Sequence, residues 1–196
     1  MRAKRGPKTT WSPCAENAVQ LKVTLKYIKP PIWRRLLLPD NYTLGDLHGA
    51  IQIAMGWGNY HLHAFRIGGI EYTSEEANLD ELEMEDEDTV LLKTVTKRPK
   101  QKFTYEYDFG DSWQHEIVVE KIPPLDPQGK YPVCVAGARA CPPEDCGSVP
   151  GYYGILEAIG DPDNPEHKEL LEWLGGSYDP EHFDLDAVNR RLRGKA

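Results

Sequence analysis

The chain has 196 residues, enough for one well-buried core, and its apolar fraction of 40% is that of a globular protein rather than a disordered one. No apolar run approaches the ~18–20 residues of a membrane span, and the basic N-terminus lacks the hydrophobic stretch of a secretory signal. We therefore expect a cytoplasmic protein with no membrane partner. In that compartment the four cysteines are thiols or metal ligands rather than disulfides.

The net charge of −8 disfavours a broad nucleic-acid surface, but the charge is unevenly distributed. Residues 75–88 hold nine acidic residues and no basic one, whereas residues 1–8 are basic. Residues 1–18 also lack hydrophobic periodicity, so we predict a disordered basic tail there and a single domain over residues 19–196. Nucleic acid therefore stays open, although disfavoured, as a partner.

The first predicted elements are two strands and a helix. Apolar and polar residues alternate over residues 19–27, and residues 32–38 read as the returning strand. Thr43 and Asp46 have near-capping-box spacing, and Gly56 stands where a helix ends. The predicted apolar face of this helix comprises Leu44, Leu47, Ala50, Ile51, Ala54 and Met55.

Two more strands and an acidic segment come next. Residues 61–67 and 70–72 predict strands joined by a glycine turn. The acidic residues 75–88 have few apolar anchors, so we expect an exposed loop there. Residues 90–95 return to the core in an element whose type the pattern leaves open.

Residues 103–119 predict the central β-hairpin. Alternation places one apolar and aromatic side on each of its strands, which is typical of half-buried strands. The predicted inward side chains are Phe103, Tyr105, Tyr107, Trp113, His115, Ile117 and Val119. Asp108 and Asp111 flank Gly110 at the tip, where they can simply bond turn amides or contribute to a site.

A proline-rich, irregular segment follows over residues 123–150, and three short helices follow it, over residues 152–159, 165–174 and 185–192. The order of elements predicts an α+β fold. We expect a mainly antiparallel twisted sheet covered by the helix of the N-terminal half, with the short C-terminal helices packed at one end.

The hairpin and the cysteine segment carry a family resemblance. Tyr105-x-Tyr-Asp-Phe-Gly-Asp-x-Trp-x-His115, Ala140-Cys-Pro-Pro-Glu-Asp-Cys-Gly147 and Glu172-Trp-Leu-Gly175 resemble the Ri-plasmid ORF-three-like family. Its members include insertion-element passenger proteins labelled TnpR-like, so the resemblance, over residues 19–193, implies a plasmid or mobile-element setting. It implies no activity that can be transferred to this chain.

The candidate site combines the hairpin tip with the cysteine segment. Prolines limit the conformations of residues 131–151, whose backbone groups need partners, and the tip is the nearest rich set. We predict that this segment folds over the tip and forms a cleft, with Glu144 or Asp145 near a histidine. The candidate residues are His61, His63, Asp108, Asp111, Trp113, His115, Cys134, Cys141, Glu144, Asp145 and Cys146.

The chemistry of that cleft stays open. Imidazole and thiolate ligands suit Zn²⁺, but Cys134, Cys141 and Cys146 lack Cys-x2-Cys spacing, so we expect no cofactor, with zinc as the alternative. Cys141 or Cys146 with His115 has the residue types of Cys–His catalysis, which only geometry identifies.

Three classes of function remain after these patterns are weighed. The leading interpretation is a non-enzymatic binding or adaptor module whose protein or small-molecule ligand is unknown. The alternatives are a metal-dependent, zinc-type hydrolase and a nucleic-acid accessory protein of a mobile element that uses the basic tail and residues 33–35.

Overall fold

A computed structural model describes residues 15–77 and 83–194. The eight strands are β1 (Ala18–Leu25), β2 (Trp33–Pro39), β3 (His63–Ile67), β4 (Ile70–Thr73), β5 (Glu85–Asp86), β6 (Lys102–Tyr107), β7 (Trp113–Lys121) and β8 (Val133–Ala138). The α-helices are α1 (Leu44–Met55), α2 (Leu92–Val95), α3 (Ser148–Gly160), α4 (His167–Trp173) and α5 (Leu185–Leu192). Short 3₁₀ turns occupy Glu75–Ala77 and Glu87–Thr89.

All eight strands form one sheet in the order β5-β4-β3-β6-β7-β1-β2-β8. Each pair of neighbours is antiparallel except β4 and β5. The predicted α+β fold with a mainly antiparallel sheet is confirmed. The central hairpin of β6 and β7 has the register Tyr105 to His115 and Tyr107 to Trp113, so its aromatic side chains meet on one face.

The sheet buries one face beneath the helices and leaves the other open. Along β1, Leu21, Val23 and Leu25 are buried, while Lys22 and Thr24 between them are partly exposed. This is the pattern of an antiparallel sheet with one solvated face. The inward residues predicted for the hairpin all lie in the core: Phe103, Tyr105, Tyr107, Trp113, His115, Ile117 and Val119.

Helix α1 begins and ends where its sequence indicates. The Thr43 hydroxyl accepts a hydrogen bond from the Asp46 amide at 3.0 Å, and the Asp46 carboxylate accepts one from the Thr43 amide at 3.0 Å. This reciprocal capping box satisfies two amides that the helix itself leaves unpaired. At the other end Gly56 has φ 98°, a left-handed conformation that glycine adopts without steric penalty.

Strand β8 corrects the prediction that residues 123–150 are wholly irregular. It pairs with β2 at the edge of the sheet, and its alternating pattern is weak because small residues follow Val133 and Val135. The side-chain amide of Asn189 closes the open edge: its Oδ1 accepts from the Cys134 amide at 2.9 Å and its Nδ2 donates to the Cys134 carbonyl at 2.8 Å. A neighbouring strand would make the same two bonds.

The two arginines of β2 have different partners, and neither of the contacts described here is with the acidic residues 75–88. Arg34 is buried and donates to the carbonyl oxygens of Ala54 at 2.7 Å and Arg139 at 2.9 Å, which ties α1 to the chain beyond β8. Arg35 pairs with Glu120 at 2.6 Å on the open face. Trp33 is half-buried beside Arg35 on that open face.

The N-terminal boundary also shifts. Asn17 already bonds Asp40, and Ala18 starts β1, so the ordered fold begins before residue 19. Residues 1–14 of the predicted tail lie outside the described residues. Among the helices of the described ranges, none combines the length and the apolar composition needed to cross a bilayer.

Candidate functional site

The tip of the central hairpin is joined to the cysteine segment. Asp108 has φ 58°, and its Oδ1 accepts from the Gly110 amide at 2.9 Å, which holds the turn. Asp111 reaches outward instead: its Oδ2 accepts from the Gly147 amide, just before α3, at 3.2 Å. The tip therefore lies against residues 144–147 at one end of the sheet.

His61, which precedes β3, lies at this junction among three carboxylates. Its Nε2 is 3.0 Å from Asp145 Oδ1 and 3.8 Å from Glu144 Oε2, and its Nδ1 is 3.8 Å from Asp108 Oδ1. Ligand-type atoms of His61, Asp108 and Asp145 lie within 4.8 Å of one another. We call His61, Asp108, Glu144 and Asp145 the tip cluster.

The geometry within the tip cluster is not that of a settled hydrogen-bond network. His61 Nε2 is shielded from solvent yet has no hydrogen-bond partner among the described residues, despite its short distance to Asp145. Buried polar atoms are normally paired, and an unpaired one calls for an explanation such as a catalytic role or a bound water or ion. Asp145, whose side chain is 70% exposed, leaves the cluster open to solvent.

Glu144 is held in place by the loop that follows α1. Its Oε1 accepts from the Gly58 amide at 2.7 Å and from the Tyr107 hydroxyl at 3.1 Å. The same hydroxyl accepts from the Tyr60 amide at 3.0 Å. Burial raises the pKa of Tyr107, so its hydroxyl remains a proton donor to Glu144 across the physiological range.

A second polar group lies beneath α1, inside the core, and we call His48, Gln52, His63, Glu87 and Tyr105 the buried network. The Tyr105 hydroxyl contacts His48 Nδ1 at 2.8 Å and accepts from Gln52 Nε2 at 2.9 Å. The His48 and His63 rings stack with centroids 3.4 Å apart. His63 Nε2 lies 2.7 Å from Glu87 Oε2.

The histidines of the buried network are neutral because they are removed from water, and the ionisation of Glu87 is suppressed for the same reason. Desolvation lowers the pKa of His48 to about 3 and that of His63 to about 4, and it raises the pKa of Glu87 to about 7. His63 is neutral and the pKa of Glu87 is raised, so these two side chains share a proton without a separated positive and negative charge. Glu87 thus corrects the expectation that the whole acidic segment is exposed.

Other candidate residues lie in the core, away from the tip cluster. Trp113 is 1% exposed, and His115 is fully buried against Trp57 and Tyr105. Neither ring nitrogen of His115 has a hydrogen-bond partner in the described part of the chain, and desolvation lowers its pKa to about 3. His115 is therefore neutral and does not join the carboxylates.

The cysteines do not form the thiolate set that a zinc site would use. Cys134 lies in β8, Cys141 follows β8 and lines a cleft together with Arg34, and Cys146 precedes α3. Burial raises the pKa of Cys134 and of Cys141, and raises that of Cys146 to about 12, so all three remain thiols. The same protonation argues against a Cys–His nucleophile, since the thiolate is the reactive form.

Comparison with known proteins supplies the family. Residues 17–187 match the family described as Plasmid pRiA4b ORF-3-like protein. The chain belongs to this family. The match covers the sheet, both regions described above and the first three residues of α5, which confirms the resemblance carried by the hairpin and the cysteine segment.

Two relatives match most of the chain. It is 35% identical over 178 residues to uncharacterized protein y4hQ of Sinorhizobium fredii, an alignment that covers 90% of this chain and 91% of the relative. It is also similar to the crystal structure of the protein of unknown function MM3350 from Methanosarcina mazei Go1. That similarity has a TM-score of 0.79 and 38% identity, and covers 88% of this chain and 97% of the other.

Sequence reasoning missed several residues that define these two regions in the family member. Tyr107 was predicted only as a core residue, although its hydroxyl also holds Glu144. His48 was not singled out, because a lone histidine on a helix carries no signal of its stacking partner. Glu87 was hidden within a run of charges, where the 3₁₀ turn that buries it leaves no periodic pattern.

Proposed function

We propose that the protein is a binding module, that its site is the tip cluster, and that a divalent cation is bound there by His61, Asp108 and Asp145. One observation carries the proposal: three separate chain segments bring ligand-type atoms within 4.8 Å of one another around an unpaired His61 nitrogen. Linear spacing argued against a metal site, but the ligands here come from distant segments, which spacing does not reveal.

The donor set indicates which cations fit. One imidazole nitrogen and carboxylate oxygens suit Mn²⁺, Zn²⁺ or Fe²⁺, whereas within the described ranges no cysteine sulfur joins this or another group of three close ligand-type atoms, as a thiolate-rich structural zinc site requires. Glu144 is 3.8 Å from His61 Nε2 and is available as a fourth ligand after a small side-chain movement. This proposal replaces our expectation of no cofactor.

The open side of the cluster is where the module's own ligand would bind. Asp145 faces solvent, so a cation held by three protein groups keeps coordination positions that an incoming carboxylate, phosphate or carbonyl oxygen can fill. The family description names a plasmid, and we propose a plasmid or mobile-element setting in the cytoplasm for this activity. The ligand is then an oxygen-rich small molecule or a protein side chain.

Calorimetric titration tests the cation proposal. Chelator-treated protein is titrated with Mn²⁺, Zn²⁺ and Mg²⁺, and we expect saturable binding of Mn²⁺ or Zn²⁺ with one site. Asp108→Asn should weaken it by roughly tenfold or more, since a charged ligand is lost while the turn bond to Gly110 can be kept.

Asp126→Asn is the matched control for this titration. Asp126 is exposed and makes the same kind of turn bond, from its Oδ1 to the Gln128 amide, far from the cluster. Its replacement should leave cation binding unchanged. Wild-type protein that shows no saturable binding up to about 1 mM metal, or Asp108→Asn protein that binds as wild type does, would contradict the proposal.

A metal-dependent hydrolase is the second candidate, because the same open coordination positions could also hold an activated water. The two candidates differ in turnover. A hydrolase loaded with Mn²⁺ or Zn²⁺ should release p-nitrophenol from p-nitrophenyl phosphate or acetate, and Asp108→Asn should abolish that release. A binding module should bind the cation without turnover.

A further inference from the structure

A second cleft lies between α1 and the loop that follows it, on the other side of that loop from the tip cluster. It has a volume of about 370 Å³ and is lined by α1 residues that include Gly45, Asp46, His48, Gly49 and Gln52, with Trp57 in its wall. Gly49 leaves open space where a side chain would project. Volumes of this order are typical of sites for small molecules.

Gln52 supplies an unsatisfied acceptor at this cleft. Its side chain is 3% exposed, and its Nε2 donates to the Tyr105 hydroxyl at 2.9 Å. The other end of the amide, Oε1, is buried and has no hydrogen-bond partner within the described ranges. Leaving such a carbonyl unpaired is unfavourable by about 1–3 kcal/mol, so a ligand in the cleft that donates a proton to it after a small movement of the Gln52 side chain would be stabilised.

The hydrogen bonds beside the cleft form a single donor-to-acceptor chain, and no member of this chain carries a positive charge. Gln52 donates to Tyr105, Tyr105 can then donate to His48 Nδ1, and His48 Nε2 donates to Asn59 Oδ1 at 2.9 Å. This assignment requires neutral His48, in agreement with its lowered pKa of about 3. None of the described residues that line the cleft is a lysine or an arginine.

Carboxylates surround the end of the cleft near the start of α1. Asp46 lines it, and its pKa is raised by desolvation, which shows that its charge has little compensation from water. Asp88 lies directly against Gly45, where it would contact any added side chain. The cleft therefore combines negative potential with an unpaired acceptor and an aromatic wall at Trp57, all of which favour a cation.

We propose that this cleft is a second ligand site, and that it binds a small organic cation whose N–H groups donate to Gln52 Oε1 and Asp46, that is, an amine or a guanidine. This site is independent of the cation at the tip cluster. A ligand of this class donates a hydrogen bond to Gln52 Oε1 and also offsets the negative charge of the carboxylates. A neutral molecule of the same size can donate the hydrogen bond but does not offset the charge.

NMR titration of ¹⁵N-labelled protein tests this site, with putrescine and agmatine as probes and 1,4-butanediol as the uncharged counterpart of putrescine. We expect saturable shifts of the Gln52 side-chain amide and of the Gly49 and Asn59 backbone amides with the two cations. The diol should shift them by roughly tenfold less at equal concentration, because it lacks the charge.

Gly49→Leu blocks the cleft without removing any polar group. Its side chain enters the open space at Gly49, and leucine favours a helix over glycine, so the fold should be retained. We expect putrescine to bind this variant at least roughly tenfold more weakly. Gly154→Leu, at an exposed glycine of α3 that also has open space, should bind putrescine as wild type does.

Three results would overturn the proposal. The first is the absence of saturable shifts at the cleft amides with both cations. The second is equal shifts with putrescine and the diol, which would show that charge is not recognised. The third is unchanged putrescine binding by Gly49→Leu, or shifts confined to Asp111, Asp145 and other exposed carboxylates, either of which would place the binding elsewhere.

Discussion

His61 and His63 stand two residues apart yet belong to regions of opposite character. His63 is buried with His48, Glu87 and Tyr105, and its Nε2 has a carboxyl partner at 2.7 Å. His61 lies among carboxylates at an open junction, and its Nε2 has no hydrogen-bond partner among the described residues. The same residue types thus form a hydrogen-bonded histidine–carboxyl pair in one place and a cluster around a histidine nitrogen without a hydrogen bond in the other.

The difference teaches that ligand-type atoms converging at a solvent-open junction, rather than a perturbed pKa or an unpaired atom alone, distinguish the candidate site in this protein. The histidines with strongly lowered pKa values are His48, His63 and His115, and all three are buried. Perturbed pKa values often mark functional sites, but burial alone produces them too. The tip cluster is identified by the convergence of its ligand-type atoms and by its exposure to solvent. The buried network is identified by its position in the core.

The largest expected effect on stability is at the central hairpin, which contributes residues to both the tip cluster and the buried network. Trp113→Ala should lower the free energy of unfolding by about 3–5 kcal/mol, because a fully buried indole leaves a large cavity. Denaturant titration measures it. Trp173→Ala, at a side chain that is 52% exposed, is the control and should change stability by less than about 1 kcal/mol. Equal losses would show that Trp113 is not in the core.

The buried network predicts acid sensitivity. His48, His63 and His115 have pKa values below their ordinary 6.5 in the folded state, so each takes up a proton on unfolding and its stabilisation is lost as pH falls below about 6.5. Glu87, with a raised pKa of about 7, acts in the opposite sense and releases one proton on unfolding above about pH 4.5.

The net uptake of about two protons sets the size of this effect. Stability should fall by roughly 2–3 kcal/mol per pH unit between pH 6 and pH 5, since each proton contributes about 1.4 kcal/mol per unit. Urea titrations at closely spaced pH values measure the slope. His115→Phe should reduce it by about one proton's share. Stability that is flat across this range would contradict the assignment of neutral buried histidines.

Substitution of two tyrosines on β6 compares how much the buried network and the tip cluster contribute to stability. Tyr105→Phe removes the hydroxyl that joins His48 to Gln52 and should lower the free energy of unfolding by about 2 kcal/mol, since two buried groups lose their partner. Tyr107→Phe removes a hydroxyl bonded to Glu144 near solvent and should have less than half that effect. Thermal unfolding of both variants checks the ratio, and equal losses would remove the distinction between the regions.

The smallest expected effect on stability is at the tip cluster itself. His61→Ala should change the free energy of unfolding by no more than about 0.5 kcal/mol, because His61 makes no hydrogen bond that folding depends on. The same variant should lose cation binding in calorimetry. A large loss of stability on this substitution would mean that His61 has a structural role like that of His63.

The fold was predictable where local patterns repeat, and the site only in outline. Alternation in β1, β6 and β7 and the capping of α1 identified their elements, because these signals depend on neighbouring residues. Strand β8 was missed because its residues are small and it lies at an edge. The approach of residues 144–147 to the hairpin tip followed from the need of backbone groups for partners. The sequence did not show which of His61 and His63 belongs to the cluster, since this depends on the contact between His63 and Glu87.

Anomalous diffraction from crystals soaked in Mn²⁺ tests the central claim most directly. The account predicts one strong peak about 2.0–2.2 Å from an imidazole nitrogen of His61 and from carboxylate oxygens of Asp108 and Asp145, with no such peak in crystals of His61→Ala. A soaked crystal without density at the tip cluster, or with an undiminished peak in the variant, would contradict it.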